Sequence, residues 1–437
     1  MRSDLARALA AGFLGGEWTP TGLVASGAAV LGRKPRWLKP LANQTLALYP
    51  RPPYDRPREL ATNVRTRPAA KKALAAHPVV VQPMPGTRML SNRWRLPELH
   101  DPADLAELVG ITTSELDWFA DPRRLARSAG DVPLQHYRVS HRTAASGGIR
   151  VLEAPKPRLR RIQRQLLDEV ASLIPPHDAA RGFRPGGSVR SYAAPHAGRP
   201  VVIRLDLEAF FASVTVSRVY GIWRSAGYPE PVAHLLAGLV TSVLPRSAWR
   251  AVPRPADEWL LDAHWRLGRR LAAPHLPQGA PTSPAMANLA AFGLDVRLTA
   301  LARSWGGRYT RYADDLAFSG AAGWGSGTSR LLDAVETIVR DEGFTLNARK
   351  TGVMPRGGRQ TLGGLVVNER PRVSRHDVDL LRAILHNCHR HGPSTQNRHD
   401  VPAFEEHLRG RIAWVAQHDP VRGARLLAVH ESVDWSR

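Results

Sequence analysis

Apolar residues recur at helical spacing in several parts of this chain. Between residues 159 and 174 leucine, isoleucine and valine return every three to four positions, which predicts an amphipathic helix that Pro175 ends. The same spacing over residues 331–339 predicts a second helix, closed by Gly343. From about His376 onward the pattern is mostly helical.

Shorter apolar runs predict strands between these helices. Residues 147–153, GGIRVLE, are typical of a turn followed by a strand, and Val201–Leu205 is typical of a buried strand. Arg308–Ala313 and Leu316–Ser319 each alternate in a way that predicts the two arms of a β-hairpin. Because strands and helices alternate, we expect an α+β, palm-like core starting near His136.

The first 130 or so residues differ from the rest. Between Arg33 and Arg95 there are 14 Lys or Arg, 2 Asp or Glu and 10 prolines, so this window cannot be mostly regular helix or sheet. It predicts a disordered arm or an extended strap lying on nucleic acid, with a poorly ordered linker as the alternative. Further on, Asp104–Val109 and Ser114–Phe119 are typical of short capped helices.

The charge of the whole chain points to a polyanionic partner. The 437 residues include 61 Lys or Arg against 38 Asp or Glu, a formal net charge of +23. A field of this sign attracts nucleic acid, although a generally basic proteome would give a similar excess. The one cysteine, Cys388, excludes an internal disulfide and a cysteine-based zinc site. No apolar run approaches the roughly 20 residues that span a bilayer, so we expect a soluble, cytoplasmic protein with no membrane partner.

Two adjacent acids, Asp314 and Asp315, fall at the turn of the predicted hairpin. Neighbouring carboxylates repel each other, which costs stability unless a cation lies between them. Magnesium prefers such oxygen ligands, and two-metal phosphoryl transfer holds its ions about 3.5–4 Å apart with a shared set of acids. Asp206 directly follows the strand Val201–Leu205 and is the best candidate for the third carboxylate, although a lone Asp after a strand is more often a cap or turn residue.

The hairpin sequence YADD and residues 276–284, LPQGAPTSP, together resemble the conserved blocks of reverse transcriptases, and are most similar to the bacterial retron group. The resemblance covers roughly residues 136–437. It implies an α+β right-hand polymerase fold with fingers, a palm of antiparallel sheet plus helices, and a helical thumb. We expect a basic N-terminal extension with short helices over 1–130, fingers and palm over 131–370, and the thumb over 371–437.

The resemblance also implies roles for the acids and their neighbours. Asp206, Asp314 and Asp315 match the catalytic aspartates that bind two Mg²⁺ ions, for which Mn²⁺ can substitute. Phe211 matches the aromatic steric gate, whose ring leaves no room for a 2′-hydroxyl and so favours dNTPs. Plain core packing is the alternative for Phe211, and it is the interpretation we prefer for Phe210.

Four further residues match positions that contact the incoming nucleotide in the family. Gln278 and Gly279 match the loop that lines the nucleotide pocket, where glycine lets the backbone approach closely. Arg150 matches the position whose guanidinium binds the triphosphate of the incoming nucleotide. Lys350 matches a lysine near the triphosphate that can protonate the pyrophosphate leaving group, and a solvated lysine is the alternative.

Basic residues elsewhere predict contacts with the template and primer. They crowd the first half of the helix after residue 155 and recur in the segment that resembles the thumb: Lys156, Arg158, Arg160, Arg161, Arg164, Arg409 and Arg411. Residues 361–368, TLGGLVVN, resemble the block that positions the primer end. A zinc site at His386, His389 and His391 is disfavoured, because no cysteine or acidic pattern accompanies it.

Two segments depart from the sequence motifs that are usual in retron reverse transcriptases. Tyr192–His196 keeps the His of an Asn-Ala-x-x-His motif but replaces its Asn by Tyr, and Leu362–Gly364 stands where Val-Thr-Gly is usual. The favoured function is an RNA-directed DNA polymerase that copies a dedicated non-coding RNA into single-stranded DNA, as a retron component in anti-phage defence. Its partners would be that RNA, the DNA product, dNTPs and a separate effector or toxin protein.

Other functions remain open on the sequence. A non-retron bacterial defence or abortive-infection reverse transcriptase would carry the same motifs, and a group II intron maturase is a weaker alternative. A catalytically silent RNA-binding protein on a polymerase fold is disfavoured, since all three acids, Gln278 and Phe211 are present. A structured RNA gene directly upstream would favour the retron.

Overall fold

A computed structural model of the chain describes residues 2–71, 78–83, 86–91, 94–123, 125, 134–143 and 147–436. The helices are α1 Arg2–Gly15, α2 Pro20–Leu31, α3 Leu38–Leu48, α4 Pro57–Thr66, α5 Pro68–Lys71, α6 Pro102–Leu108, α7 Thr113–Ala120, α8 Pro157–Glu169, α9 Val189–Ala193, α10 Phe210–Ser213, α11 Val216–Ser225, α12 Glu230–Val240, α13 Arg246–Arg250, α14 Glu258–Leu271, α15 Ser283–Ala290, α16 Phe292–Ser304, α17 Trp324–Asp341, α18 Arg375–His391, α19 Phe404–His418 and α20 Pro420–Glu431. The strands are β1 Tyr137–Thr143, β2 Ile149–Pro155, β3 Val201–Asp206, β4 Arg308–Tyr312, β5 Asp315–Gly320, β6 Gly352–Pro355, β7 Thr361–Leu362, β8 Leu365–Val366 and β9 Arg372–Val373.

The chain divides into two compact units. The first comprises Met1–Pro175 and Phe211–Ala290, and the second comprises Pro176–Phe210 and Ala291–Arg437. The mixture of helices with antiparallel sheets confirms the α+β prediction. Among the described residues, no single helix is both long and apolar enough to cross a membrane.

The start of the first unit differs from the disordered arm that its composition predicted. Helices α1 to α5 form a bundle with a core of its own, in which Leu9, Phe13, Leu38 and Leu60 are fully buried. The number of prolines was a misleading sign of irregular structure, because Pro57 occupies the first position of a helix. The prolines that start α2 and α5 do the same. In that position the missing N–H of proline costs no hydrogen bond.

An extended segment follows the bundle and runs over the first unit. The backbone N–H of Val80 donates to Val30, that of Arg88 to Tyr54 and that of Leu90 to Gly227. The extended alternative therefore holds for the described residues of this part, which form hydrogen bonds to the protein itself. The two short helices predicted after it are confirmed as α6 and α7, each begun by a capping box.

The remainder of the first unit contains a two-stranded antiparallel ribbon, β1–β2, and helices α8 and α10 to α15. Helix α8 buries Leu159, Ile162 and Leu166, as its periodicity predicted. It ends at Glu169 rather than at Pro175, because Val170 leaves helical geometry and a 3₁₀ turn follows.

The second unit is built on a four-stranded antiparallel sheet with the order β4-β5-β3-β6. His196 is fully buried, with its two ring nitrogens 2.7 Å from the Ser319 hydroxyl and 2.8 Å from the Thr310 hydroxyl. Burial lowers the pKa of His196 to about 3, so the ring is neutral and joins β4 to β5. A small sheet, β7-β8-β9, and helices α18 to α20 share a separate core.

Candidate active site

The three predicted catalytic acids come together at one end of the four-stranded sheet. Asp206 is the last residue of β3 and lies directly opposite Asp315, the first residue of β5. Asp314 lies in the two-residue turn between β4 and β5, where its carbonyl accepts a 2.9 Å hydrogen bond from the N–H of Leu207. In the same turn Ala313 has a φ of 57°, a conformation that a non-glycine residue rarely adopts. Backbone strain of this kind is concentrated at functional sites.

The electrostatics of these acids indicate that a cation is needed among them. Burial, and next the negative charges of Asp314 and Asp206, raise the pKa of Asp315 to about 6. Asp206 is only 4% exposed. Among the residues that the structure describes, no three His, Cys, Asp or Glu side chains already form a metal cluster. The mutual repulsion of the carboxylates, and their hard oxygen donors, nevertheless fit a divalent cation.

A lysine supplies positive charge to this cluster. The Lys350 ammonium donates to Asp206 Oδ1 at 2.8 Å, and the side-chain amide of Asn347 donates to Asp206 Oδ2 at 3.2 Å. Lys350 is therefore not simply a solvated lysine, although its side chain is 43% exposed. Sequence reasoning missed Asn347, whose backbone N–H also donates to the Asp206 carbonyl at 2.8 Å.

A buried ion pair behind the hairpin turn was also missed. The Arg311 guanidinium donates to both carboxylate oxygens of Asp295, at 2.8 and 2.7 Å, and both side chains are 0% exposed. Arg311 also donates to the Ala313 carbonyl at 3.0 Å and lies over the ring of Phe210. Phe210 is thus a core residue, as preferred from the sequence.

The predicted nucleotide-binding residues other than Lys350 belong to the first unit. The carbonyl of Gln278 accepts a 2.8 Å hydrogen bond from the N–H of Glu153. Gly279 has a φ of 128°, and a Cβ there would lie 3.1 Å from the Glu153 carbonyl oxygen, so the loop needs glycine. Arg150 is exposed on β2, and Phe211 is half-buried.

A second buried pair supports this loop. His275, which directly precedes the predicted pocket segment LPQG, lies with Nε2 2.6 Å from Glu153 Oε2, and both side chains are 1% exposed. Burial acts to lower the pKa of His275, but the adjacent Glu153 carboxylate outweighs burial and the net shift of that pKa is upward. The pair joins strand β2 to the loop across 122 positions of sequence.

The predicted nucleic-acid contacts lie on two helices. On α8, Arg160, Arg161 and Arg164 are exposed on the side away from the core. Arg158 is also exposed, but it pairs with Glu115. Lys156 is half-buried and precedes α8, where its backbone N–H donates to the His136 carbonyl at 2.9 Å. On α19, Arg409 is exposed and Arg411 is half-buried.

The two altered retron segments have clear structural roles. Tyr192 is fully buried, and its ring lies 5.9 Å from that of Tyr312 in the strand that leads to the acids. Gly363 and Gly364 both have positive φ and form the turn between β7 and β8. A Cβ on Gly363 would lie 2.5 Å from the Val189 side chain.

Comparison with known proteins gives the family. The family described as "Reverse transcriptase (RNA-dependent DNA polymerase)" matches residues 141–366. The retron Mx65 reverse transcriptase of Myxococcus xanthus is 39% identical over 334 residues, which cover 76% of this chain and 72% of that protein. The retron Mx162 enzyme of the same organism is 37% identical over 76% of this chain and 67% of its own length.

A more distant relative agrees with this result. The retron Ec86 reverse transcriptase of Escherichia coli is 29% identical over 282 residues, 64% of this chain and 75% of that protein. The family match over residues 141–366 includes the aspartate hairpin, the strand that ends at Asp206 and the LPQG loop. The chain therefore belongs to the bacterial retron-type reverse transcriptases, enzymes with an α+β polymerase fold whose chemistry depends on divalent metal ions.

Proposed function

We propose that this enzyme copies a dedicated non-coding RNA into single-stranded DNA by two-metal-ion nucleotidyl transfer. The observation that carries the proposal is the pairing of Asp206 with Asp315 at the sheet end, next to Asp314. Two magnesium ions held by these three carboxylates, with manganese as a substitute, would activate the primer hydroxyl and stabilise the charge of the leaving pyrophosphate. The raised pKa of Asp315 supports this assignment, because burial and the neighbouring carboxylates Asp314 and Asp206 disfavour its charged form, which a divalent cation would stabilise.

Lys350 has a proton-transfer role in this proposal. Its ammonium is within hydrogen-bond distance of Asp206 and is 43% exposed, so it is held at the cluster and remains accessible. When a nucleotide is present, the same ammonium donates a proton to the pyrophosphate oxygen that leaves. Asn347 keeps Asp206 oriented through its side-chain amide and its backbone N–H.

The nucleotide is bound by residues of the first unit. Arg150, exposed on β2, binds the triphosphate, and the backbone near Gly279 approaches the nucleotide because no side chain intervenes. Gln278 contacts the sugar, and Phe211 excludes a 2′-hydroxyl. The buried pair of Glu153 and His275 holds the loop that carries Gln278 and Gly279.

Template and primer are bound by basic residues at and on α8 and on α19, some exposed and some half-buried, namely Lys156, Arg158, Arg160, Arg161, Arg164, Arg409 and Arg411. Residues 131–370 serve as fingers and palm, and residues 371–437 serve as the thumb. The relatives are named as retron enzymes, which supports a template encoded with the protein. We assign the system to anti-phage defence, with a separate effector or toxin protein as its partner.

Primer extension on an RNA template tests the catalytic assignment. Asp314→Asn and Asp206→Ala should each abolish DNA synthesis while RNA binding stays within about twofold, because the acids act on the metal and not on the RNA. Asp333→Asn, an exposed acid on α17, is the matched control and should synthesise DNA normally. Substantial synthesis by either active-site variant would rule out the two-metal assignment.

The template and the defence role need a separate experiment. Nucleic acid purified with the protein from its host should contain one predominant structured RNA joined to its DNA copy. Deleting the gene should then make the host more sensitive to phage. Heterogeneous RNA with no attached DNA would contradict the dedicated template.

A further inference from the structure

The helical bundle at the start of the first unit, residues 2–71, carries a concentrated positive charge. Between residues 33 and 71 there are ten Lys or Arg and two acidic residues, a net of +8 in a chain whose total is +23. The mutual repulsion of these cations destabilises the folded bundle, and a bound polyanion would offset that repulsion.

Both acidic residues of this segment are engaged within the protein. Asp55 is 6% exposed and accepts a 2.7 Å hydrogen bond from Arg224. Glu59 accepts from the Tyr49 hydroxyl at 2.8 Å and from Arg56 at 3.4 Å. The carboxylates are therefore used by the fold, and they neutralise little of the outer surface.

Five cations define what we call the basic surface of the bundle: Lys34, Arg36, Lys39, Arg51 and Arg65. All five are exposed, and none of them forms an ion pair with any residue in the described parts of the chain.

The bundle is attached to the rest of its unit by specific hydrogen bonds. The N–H of Arg58 donates to the Glu230 carboxylate at 2.6 Å, and the N–H of Glu230 donates to the Asp55 carbonyl at 2.9 Å. With the Asp55–Arg224 pair, these contacts hold the bundle against α11 and α12. A ligand of the basic surface is consequently held by the enzyme body and not by a loose tail.

The aromatic residues of the bundle indicate which form of nucleic acid fits. Phe13 and Tyr49 are buried, and Trp18, Trp37 and Tyr54 pack against the core. Single-stranded nucleic acid is usually bound by exposed aromatic rings on which bases stack, whereas base-paired RNA is recognised by its shape, phosphates and 2′-hydroxyls. The described part of the bundle offers exposed cations and no exposed aromatic ring.

We propose that the basic surface binds the phosphate backbone of base-paired RNA, and so holds the folded part of the enzyme's own template. This inference rests on the proposed function, because it presumes a structured RNA template. It assigns the N-terminal bundle to template selection, by the presence of a duplex rather than by base sequence.

A charge-matched pair of variants tests the proposal in the full-length protein. Lys34→Ala/Arg36→Ala/Lys39→Ala removes three cations from the basic surface. Arg303→Ala/Arg330→Ala/Arg340→Ala removes three exposed cations from α16 and α17 and serves as the control. Binding to an RNA duplex of about 20 base pairs, and to an oligouridylate of the same length, is measured across a range of salt concentrations.

The bundle variant should lose at least about tenfold in duplex affinity, and its slope of log K against log salt should fall by about 2–3. The control should keep the wild-type slope, and oligouridylate binding should change equally in both variants. Equal loss of duplex binding in the two variants, or binding of the wild-type surface to anionic lipid vesicles in preference to duplex RNA, would overturn the proposal. Unchanged thermal unfolding shows that the variant is folded.

The proposed function is checked separately in the same preparations. Wild-type protein should extend a short annealed primer on RNA. If it does, and the bundle variant still binds duplex like the control, only the inference about the bundle fails. If the wild type makes no DNA, the proposed function fails independently of the duplex-binding result.

Discussion

The buried pair of Arg311 and Asp295 offers a sharp test of how the hairpin turn is held. Replacing Asp295 by Asn keeps the side-chain shape but leaves the Arg311 charge unpaired at a site with 0% exposure. Replacing Arg311 by Met leaves Asp295, as far as the described residues show, with the Tyr309 hydroxyl as its side-chain partner, which donates to it at 2.8 Å. Breaking one side of a buried pair costs about 3–5 kcal/mol, because the remaining charge stays desolvated.

The double variant Arg311→Met/Asp295→Asn combines the two single substitutions and removes both charges together. We expect it to recover at least about 2 kcal/mol relative to the sum of the single losses, since no unpaired charge remains. Its primer extension should nevertheless stay low, because the Ala313 carbonyl in the turn that carries Asp314 loses the donor that Arg311 provides at 3.0 Å. The double variant therefore separates the effect of the ion pair on the stability of the protein from its effect on the position of the hairpin turn.

Urea unfolding followed by tryptophan fluorescence gives the stability changes, and primer extension gives the activity. The control is Arg303→Met, an exposed arginine on α16, which should cost less than about 0.5 kcal/mol. Losses below about 1 kcal/mol for both single variants would refute the interpretation of the pair as a buried charge pair. Full primer extension by the double variant would refute the positioning role of Arg311.

Three further predictions concern the nucleotide pocket and proton transfer. Phe211→Ala should incorporate ribonucleotides, and an unchanged ratio of dNTP to rNTP incorporation would make Phe211 only a core residue. Lys350→Ala should lower kcat by about 10²–10⁴ and abolish the alkaline limb of its pH profile, whereas a loss confined to KM would exclude the general-acid role. The pKa of His275 is raised in the folded protein above its ordinary value of 6.5. The stability that this ionised pair contributes is therefore present below about pH 6.5 and is lost as the pH rises through the folded pKa. Glu153→Gln should remove this pH dependence from the free energy of unfolding.

Local sequence was sufficient for the elements that carry the chemistry. The hairpin around Asp314 and Asp315 and the strand that ends at Asp206 were predicted from short-range alternation and apolar runs, and the structure confirms them. The need for glycine at position 279 also followed from the residue type, and the backbone φ agrees. These features depend on a few consecutive residues, which is why a single sequence reveals them.

Composition was a poorer guide to the N-terminal region. Ten prolines and a strong positive charge between Arg33 and Arg95 predicted irregular structure, yet α3, α4 and α5 lie within that window. Counting prolines ignores their position, and Pro57 at the start of α4 is compatible with a helix. The apolar residues that form the bundle core were visible in the sequence, but their mutual packing was not.

The sequence by itself indicated the family, the three candidate acids and the glycine-containing loop, because those depend on residue type and local spacing. Only the tertiary structure decided which groups support them. Asn347 reaches Asp206 across 141 positions, and Glu153 reaches His275 across 122. Contacts between residues so far apart produce no local pattern in the sequence, because only folding brings the two residues together. The supporting hydrogen bonds and buried charges therefore had to be read from the packed molecule.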